Sequence, residues 1–535
     1  MNKKHISAAA SILAVSTLMS ACGSGGNSSG SPSPSASQSA SSPTAKAGAF
    51  DKKMTLTMFH AGGFNLSALP PSNREQDPIR QLLEKSVNVD LQITWPAPDQ
   101  IRQKLNTMVA SGDIPDLMFM GDRGTAVQYY DQGVLADLDT VLKDYPELQK
   151  RWKESEWNAL KYKGKQIAIP GYELVSGIRS VWIRQDWLDK LNLKAPTTPE
   201  ELLNVMKAFT FNDPDGNGKN DTYGFVAGVN KSGEFADLGW DMVFHMFGVQ
   251  PNHVSYKDNK LVFDSTDPAM KEALTYINQV IEAKVVDPDW VSVNDLAAID
   301  KKLYSGKVGI MFADWRKMEP NSQKLMQDTG GSVPNWTVIA PPKGPHGDQY
   351  VGYQAFQNNG WTISKNAAKD PEKMKRILSM LQFWYTDKEA YKTFSYGQKG
   401  MFWDEKDGRT VRLQENINNK DIMEPNKWYT NYALPRRADD ALYFNFANDK
   451  TAGYHDLNLK YIKPDPVNPF IVPDPSDTVY EDRRKFVLES ILKFMSGKDP
   501  ISNWDNYVKT MDSKFEYGKY KTYVEKQLKD ASIIK

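Results

Sequence analysis

One cysteine, Cys22, is present among 535 residues, so no disulfide can close within the chain. An excess of charge is also missing: 66 basic residues stand against 66 acidic ones. Nothing global therefore draws the protein to nucleic acid, and no nucleic-acid partner is expected. Histidine is scarce. Beyond the N-terminal segment there are His60, His245, His253, His346 and His455, with no zinc-motif spacing and no H-E-x-x-H. No G-x-S-x-G elbow occurs, and the Gly-Lys pairs at Gly164, Gly218, Gly306 and Gly497 lack the other elements of a Walker phosphate loop. Carboxylates are plentiful, including Asp113 with Asp116 and Asp439 with Asp440, but their spacing carries no acid/base signature. These absences argue against an enzyme. A polysaccharide lyase or glycoside hydrolase remains the alternative, because paired catalytic carboxylates leave no local motif.

What is present begins with an address. Lys3 and Lys4 precede a small and apolar stretch from Ile6 to Met19, too short for a comfortable transmembrane helix, which ends in Met19-Ser20-Ala21-Cys22. That ending resembles a bacterial lipobox, with Met19 where Leu is usual. It implies a signal peptide over 1–21 and lipidation of Cys22. Residues 22–49 are nearly all Ser, Gly, Pro and Ala after the cysteine, a flexible tether. The expected place is the extracellular face of the cell membrane, touched through the lipid alone.

The remaining chain is globular in balance, 40% apolar and 25% charged, and too long for one core. Met54, Leu56 and Met58 alternate with polar residues, as do Val87, Val89, Leu91 and Ile93, and both read as strands. Helices are expected from Pro78 and along Ile101, Leu105 and Met108, with Gly112 as a stop; residues 117–120 read as a buried strand. Further helices begin at Thr198-Pro199, Asp267-Pro268 and Asp370-Pro371, and Val308 to Phe312 is a strand. Strands alternating with helices predict an α/β protein with mostly parallel sheets in two lobes.

The stretch 212–221, NDPDGNGKND, places oxygen donors at Asp213, Asp215, Asn217 and Asp221, positions 1, 3, 5 and 9 of an EF-hand-type loop over 213–224. Gly218 falls at the sharp turn and Lys219 offers a backbone carbonyl. Calcium suits such a cage in a structural role. Position 12 is Gly224 rather than a bidentate Glu, so another group must complete the shell. The alternative is an Asx- and Gly-rich turn.

Several segments occur in a characteristic order: LNTMVASGDIPDL at 105–117, GVLADL at 133–138, YKGKQIAIP at 162–170, WIRQDWL at 182–188, SGKVGIMF at 305–312 and GKDPISNWD at 497–505. Together they resemble the extracellular solute-binding lipoproteins that serve ABC importers of oligosaccharides, in particular the larger alginate-oligosaccharide-binding members. The resemblance implies a two-lobed clamp of the periplasmic-binding-protein type, a monomer that captures an oligosaccharide between hinged lobes and delivers it to membrane permease subunits. It implies three interlobe crossings, near 167–171, 338–342 and 385–391. The N-terminal lobe would hold 50–168 plus 340–388, and the C-terminal lobe 171–337 plus 391–535. A partner sensor kinase is a variant of the same reading.

Sugars offer apolar faces to aromatic rings and hydroxyls to oriented polar groups, and ligands gather at the carboxyl ends of parallel strands. The candidate contacts are therefore His60, Asp122, Arg123, Asp314 and Trp315 after strands, Tyr172 at the first crossing, Trp361, and Trp240 and Trp403 in loop-like stretches. Arg184 and Asp186 are expected to be structural.

Overall fold

The computed structural model describes residues 50–60, 68–97, 100–171, 179–230, 233, 235, 238–318, 320–353, 359–406, 408–432, 449–474, 476–531 and 533–535. Tyr172 lies outside these residues. Residues 43–535 form one compact unit, and its described part holds two main sheets, each with its own core.

The first sheet runs Val89–Thr94, Met54–His60, Leu117–Met120, Gly360–Ile363, Ile169–Pro170. Met54–His60 pairs in parallel with both neighbours, as short strand–helix–strand units require. The helices between them start and stop where the sequence says. Pro78–Val87 is capped by Asp77, whose Oδ1 accepts the Arg80 N–H at 2.9 Å, and Ile101–Ser111 ends at Gly112, where φ of 79° favours glycine. The last two strands are antiparallel. They are joined through the other lobe rather than by a local crossover helix, so the rule that makes consecutive strands parallel does not bind them. Four of its five strands still point the same way, so the sheet is mostly parallel in direction, as expected, though mixed in its pairings. The second sheet is also mixed: Trp336–Ile339, Arg179–Arg184, Val308–Asp314, Tyr223–Phe225, with only the last pair parallel.

Packing places the lobes. One core joins Leu56, Leu91, Phe119, Trp361 and Leu381 around the first sheet; another joins Val181, Ile183, Met206, Phe225 and Ile310 around the second. Asp116 fastens the first lobe. Its carboxylate accepts the Thr57 N–H at 2.9 Å and the Lys373 ammonium at 2.8 Å, so it is structural. Arg184 is structural as expected, donating to Asp186 at 2.8 and 2.6 Å and to the Gly306 carbonyl at 2.9 Å.

The cores also move the expected lobe boundaries. Ala390, Phe394, Phe402, Tyr429 and Tyr432 pack in the first-lobe core, so the chain does not leave that lobe at 385–391. Val351 packs in the second-lobe core and Gly352–Tyr353 pairs with Ile462–Lys463, so it does not leave the second lobe at 338–342 either. The chain is in the first lobe at Gly171 and the second at Arg179, in the second at Tyr353 and the first at Asn359, and in the first at Tyr432 and the second at Tyr454.

Candidate ligand crevice and loop site

One edge of each lobe is tied to the other by short passages: seven residues separate Gly171 from Arg179 and five separate Tyr353 from Asn359. On the first lobe this edge carries His60, Gly121 to Arg123, Gly171 and Asn359; the Gly171 N–H donates to the Asn359 carbonyl at 3.2 Å. On the second it carries Arg179 and Asp314, which stand opposite each other in the strand register. Asn458 fixes this end by donating to the Arg179 carbonyl at 2.7 Å and to the Ser180 hydroxyl at 2.6 Å. A crevice between such strand ends can receive a ligand from both sides and enclose it.

The expected contacts separate into groups. Asp314 is partly exposed at the crevice edge, and Trp315 follows it at the start of the 3-10 turn Trp315–Met318. Asp122 is also at the edge, but its carboxylate caps the helix Arg123–Asp131, accepting the Thr125 N–H and hydroxyl, both at 2.8 Å. Arg123 is buried, donating to the Lys161 carbonyl at 2.9 Å and, across the lobes, to the Phe470 carbonyl at 3.5 Å.

His60 lies under the edge with no accessible surface, 4.4 Å centroid to centroid from Trp95 and 5.2 Å from Trp361. Burial pulls its imidazole down to about 3, so it is neutral. Trp240, Trp361 and Trp403 are likewise fully buried. Trp240 packs on Phe225 and Trp290, Trp361 donates to the Tyr385 hydroxyl at 2.8 Å, and Trp403 donates to the Gly397 carbonyl at 2.7 Å. These four side chains are placed in the cores, with no surface for a sugar, because the large apolar area of an aromatic ring is buried in packing.

A second group was not singled out by sequence. His245, Tyr350, Tyr353 and Lys463 gather beside the passage at 353–359. The His245 and Tyr350 rings are 4.6 Å apart, the Tyr350 and Tyr353 hydroxyls 3.1 Å apart, and the Lys463 ammonium lies 4.5 Å over the Tyr350 ring. Burial pulls His245 down to about 3. No local motif could reveal this cluster, since its members come from three separate segments.

The loop at 213–221 turns as expected, with Asp213, Gly216 and Gly218 at positive φ. Asp213 accepts the Asn217 N–H at 3.0 Å and the Gly218 N–H at 3.1 Å, while the Asn217 amide donates to Asp215 at 2.9 Å and Asp221 at 3.1 Å. Desolvation and the charges of Asp213 and Asp221 push the Asp215 carboxyl up, the repulsion that a hard cation would relieve. The donor chemistry fits calcium, but the placement does not yet make a cage. Among the described residues no three His, Cys, Asp or Glu side chains converge as metal ligands, and the Lys307 ammonium pairs with Asp221. Position 12 has no room for a side chain, because a Cβ on Gly224 would lie 2.5 Å from the Met206 carbonyl oxygen.

Two separately cored lobes joined by short passages at their strand ends have the architecture of a clamp-type binding protein. Residues 71–391, more than half of the chain, match the family model of bacterial extracellular solute-binding proteins, and the chain belongs to that family. It is 28% identical over 377 residues to lipoprotein LipO of Bacillus subtilis strain 168, covering 68% of this chain and 71% of LipO. It is 26% identical over 462 residues to the polygalacturonan/rhamnogalacturonan-binding protein YtcQ of the same organism, covering 83% and 86% of the two chains. In fold it is similar to the HMO-binding, ABC-transporter-associated solute-binding protein of Bifidobacterium longum infantis, with TM-score 0.67, 18% identity, and coverage of 90% of this chain and 99% of that one.

Proposed function

We propose that the chain is the capture component of an ABC importer, a non-enzymatic receptor that encloses an oligosaccharide between its lobes and hands it intact to permease subunits. The observation that carries this reading is the pair of separately cored lobes joined by short passages at their strand ends. Separate cores let each lobe stay folded under a change of the angle between them, which is the requirement for hinge closure. Membership of the solute-binding family and the likeness to YtcQ, a polygalacturonan/rhamnogalacturonan-binding protein, support a carbohydrate as the solute. The lipobox-like Met19-Ser20-Ala21-Cys22, together with the likeness to LipO, supports an anchor at Cys22 on the extracellular face. Calcium at Asp213, Asp215, Asn217, Lys219 and Asp221 is part of the same proposal, as a structural ion.

A thermal-shift screen against neutral and uronic-acid oligosaccharides, with chromatography of the sugar after incubation, tests the reading. Stabilisation by an oligosaccharide recovered unchanged is expected. Recovery of shortened or unsaturated products would transfer the protein to the lyase or hydrolase class.

A further inference from the structure

We propose that His253 is a proton-operated pin that fastens the strap 465–472, and through it the Arg123 contact between the lobes, to the body of the second lobe. The inference goes beyond solute capture and does not depend on which solute is captured.

The strap follows Ile462–Lys463, the strand paired with Gly352–Tyr353 at a passage between the lobes. Asp465 Oδ1 accepts the Asn468 N–H at 3.1 Å and so shapes the turn Asn468–Phe470. Val467 is fully buried beside Val524 and Leu528. Further along, the Phe470 carbonyl accepts from Arg123 of the first lobe, and the Arg123 guanidinium lies 5.9 Å over the Phe470 ring. The Val472 N–H donates to Gln527 at 2.9 Å. The strap is thus the part of the second lobe that touches the first lobe at Arg123.

His253 holds its near end. The ring is 9% exposed and stacks on Tyr353 at 4.1 Å with 20° between planes. Nδ1 is 3.1 Å from Asp264 Oδ2, a carboxylate with no exposure. Nε2 has two competing neighbours, the Asn468 amide nitrogen at 2.8 Å and Asp465 Oδ2 at 3.3 Å. One protonation state cannot serve both. The amide nitrogen is a donor only and needs a lone pair on Nε2, whereas the carboxylate needs a proton there. The neutral ring donates Nδ1–H to Asp264 and accepts from Asn468. The imidazolium donates Nε2–H to Asp465 as well, and the two amide N–H bonds of Asn468 then serve the Val254 carbonyl at 2.6 Å and Asp465 Oδ1 at 2.9 Å, one of which a neutral ring diverts to Nε2.

The other groups around the ring do not reverse this choice. His245 is neutral, Lys463 is paired with Asp348 at 3.0 Å, Arg483 and Arg484, which line the same small cavity as His253, are paired with Asp477 and Glu481, and Tyr350, Tyr353, Tyr480, Tyr517 and Tyr520 are kept protonated by burial. Burial alone would lower the His253 pKa, but the hydrogen bonds and charges of Asp264 and Asp465 outweigh it and raise it above the ordinary 6.5. A raised pKa fixes the sign. The charged grip is complete below the unfolded value and is lost as pH rises through the folded one, so the strap and its Arg123 contact loosen on the alkaline side.

The test is hydrogen exchange of peptides spanning 462–472 in the full chain, from about pH 6 to about pH 9, corrected for intrinsic rate. A parallel titration of 13C-labelled histidine assigns the His253 signal by its loss in His253→Gln. The wild-type strap opening constant is expected to rise about tenfold across the His253 titration, the factor carried by one charge-assisted hydrogen bond. His253→Gln should show no such rise. Should that variant fail to fold, Asp465→Asn removes the same charged partner and should also flatten the profile. A His253 pKa at or below the ordinary value, or a pH profile unchanged in the folded variant, overturns the proposal.

Discussion

Tyr385→Phe removes one oxygen atom and should cost far more stability than its size suggests. The Tyr385 hydroxyl is buried and has two partners: it accepts the Trp361 Nε1–H at 2.8 Å and donates to the carbonyl of Gly171, where the chain leaves the first lobe. Among the described residues neither the Trp361 indole N–H nor the Gly171 carbonyl has a second hydrogen-bond partner. The variant therefore orphans a buried donor and a buried acceptor together. At about 1–3 kcal/mol for each orphaned group, the loss should be about 3 kcal/mol or somewhat more. For a cooperative unit of roughly 200 residues, a loss of that size lowers Tm by about 6–12 °C. Urea titration followed by circular dichroism measures it, and a cycle with Trp361→Phe isolates the shared bond. In the double variant the indole donor is gone, so the two losses should fall short of additivity by about 1–2 kcal/mol. A loss below about 0.5 kcal/mol, or strict additivity, would refute the claim that this hydroxyl is the dry bridge between sheet and passage.

Three further outcomes follow from the same physics. Chelation of calcium should lower the melting temperature more than it lowers sugar affinity, because the 213–221 loop joins a helix to a strand within one lobe; an unchanged Tm, with the metal shown absent by elemental analysis, counts against the site. Cys22→Ser should release the protein into the medium and abolish fatty-acid labelling, and retention on the cells would sink the anchor. Acid should destabilise the fold through His60. Its pKa falls from 6.5 to about 3 on burial, so its contribution is intact above the unfolded value and drains as pH falls through that window. The slope is about 1.4 kcal/mol per pH unit for one such group, and His60→Phe should flatten that share in denaturant titrations at successive pH values.

Much of the fold was legible because local chemistry decided it. Pro78, Pro199, Pro268 and Pro371 each open a helix behind a capping Asp or Thr, and those caps form as side-chain hydrogen bonds in the structure. Period-two alternation located Met54–His60 and Val89–Thr94, and the order of loose motifs in the sequence indicated the family. Strand direction was not legible, since Gly360–Ile363 enters the first sheet only after passing through the other lobe. Lobe boundaries failed for a related reason: helix Lys388–Tyr396 has an apolar face that either lobe could cover, and only tertiary packing against Lys427–Tyr432 and the first-lobe core decides between them.

The crevice was the least legible part, and the physics explains why. An aromatic near a strand end has the same local sequence whether it stacks a sugar or fills a core. Trp361, in the second position of its strand, points among Phe119, His60 and Trp384. The polar groups that do gather near a passage, His245, His253, Tyr350, Tyr353 and Lys463, are brought together from positions up to 218 residues apart. Their effect therefore cannot be read from any one of their segments. If closure of the lobes responds to pH, the response must enter where such distant segments meet, and His253, placed between two carboxylates at the root of the strap, is where the described structure concentrates that charge.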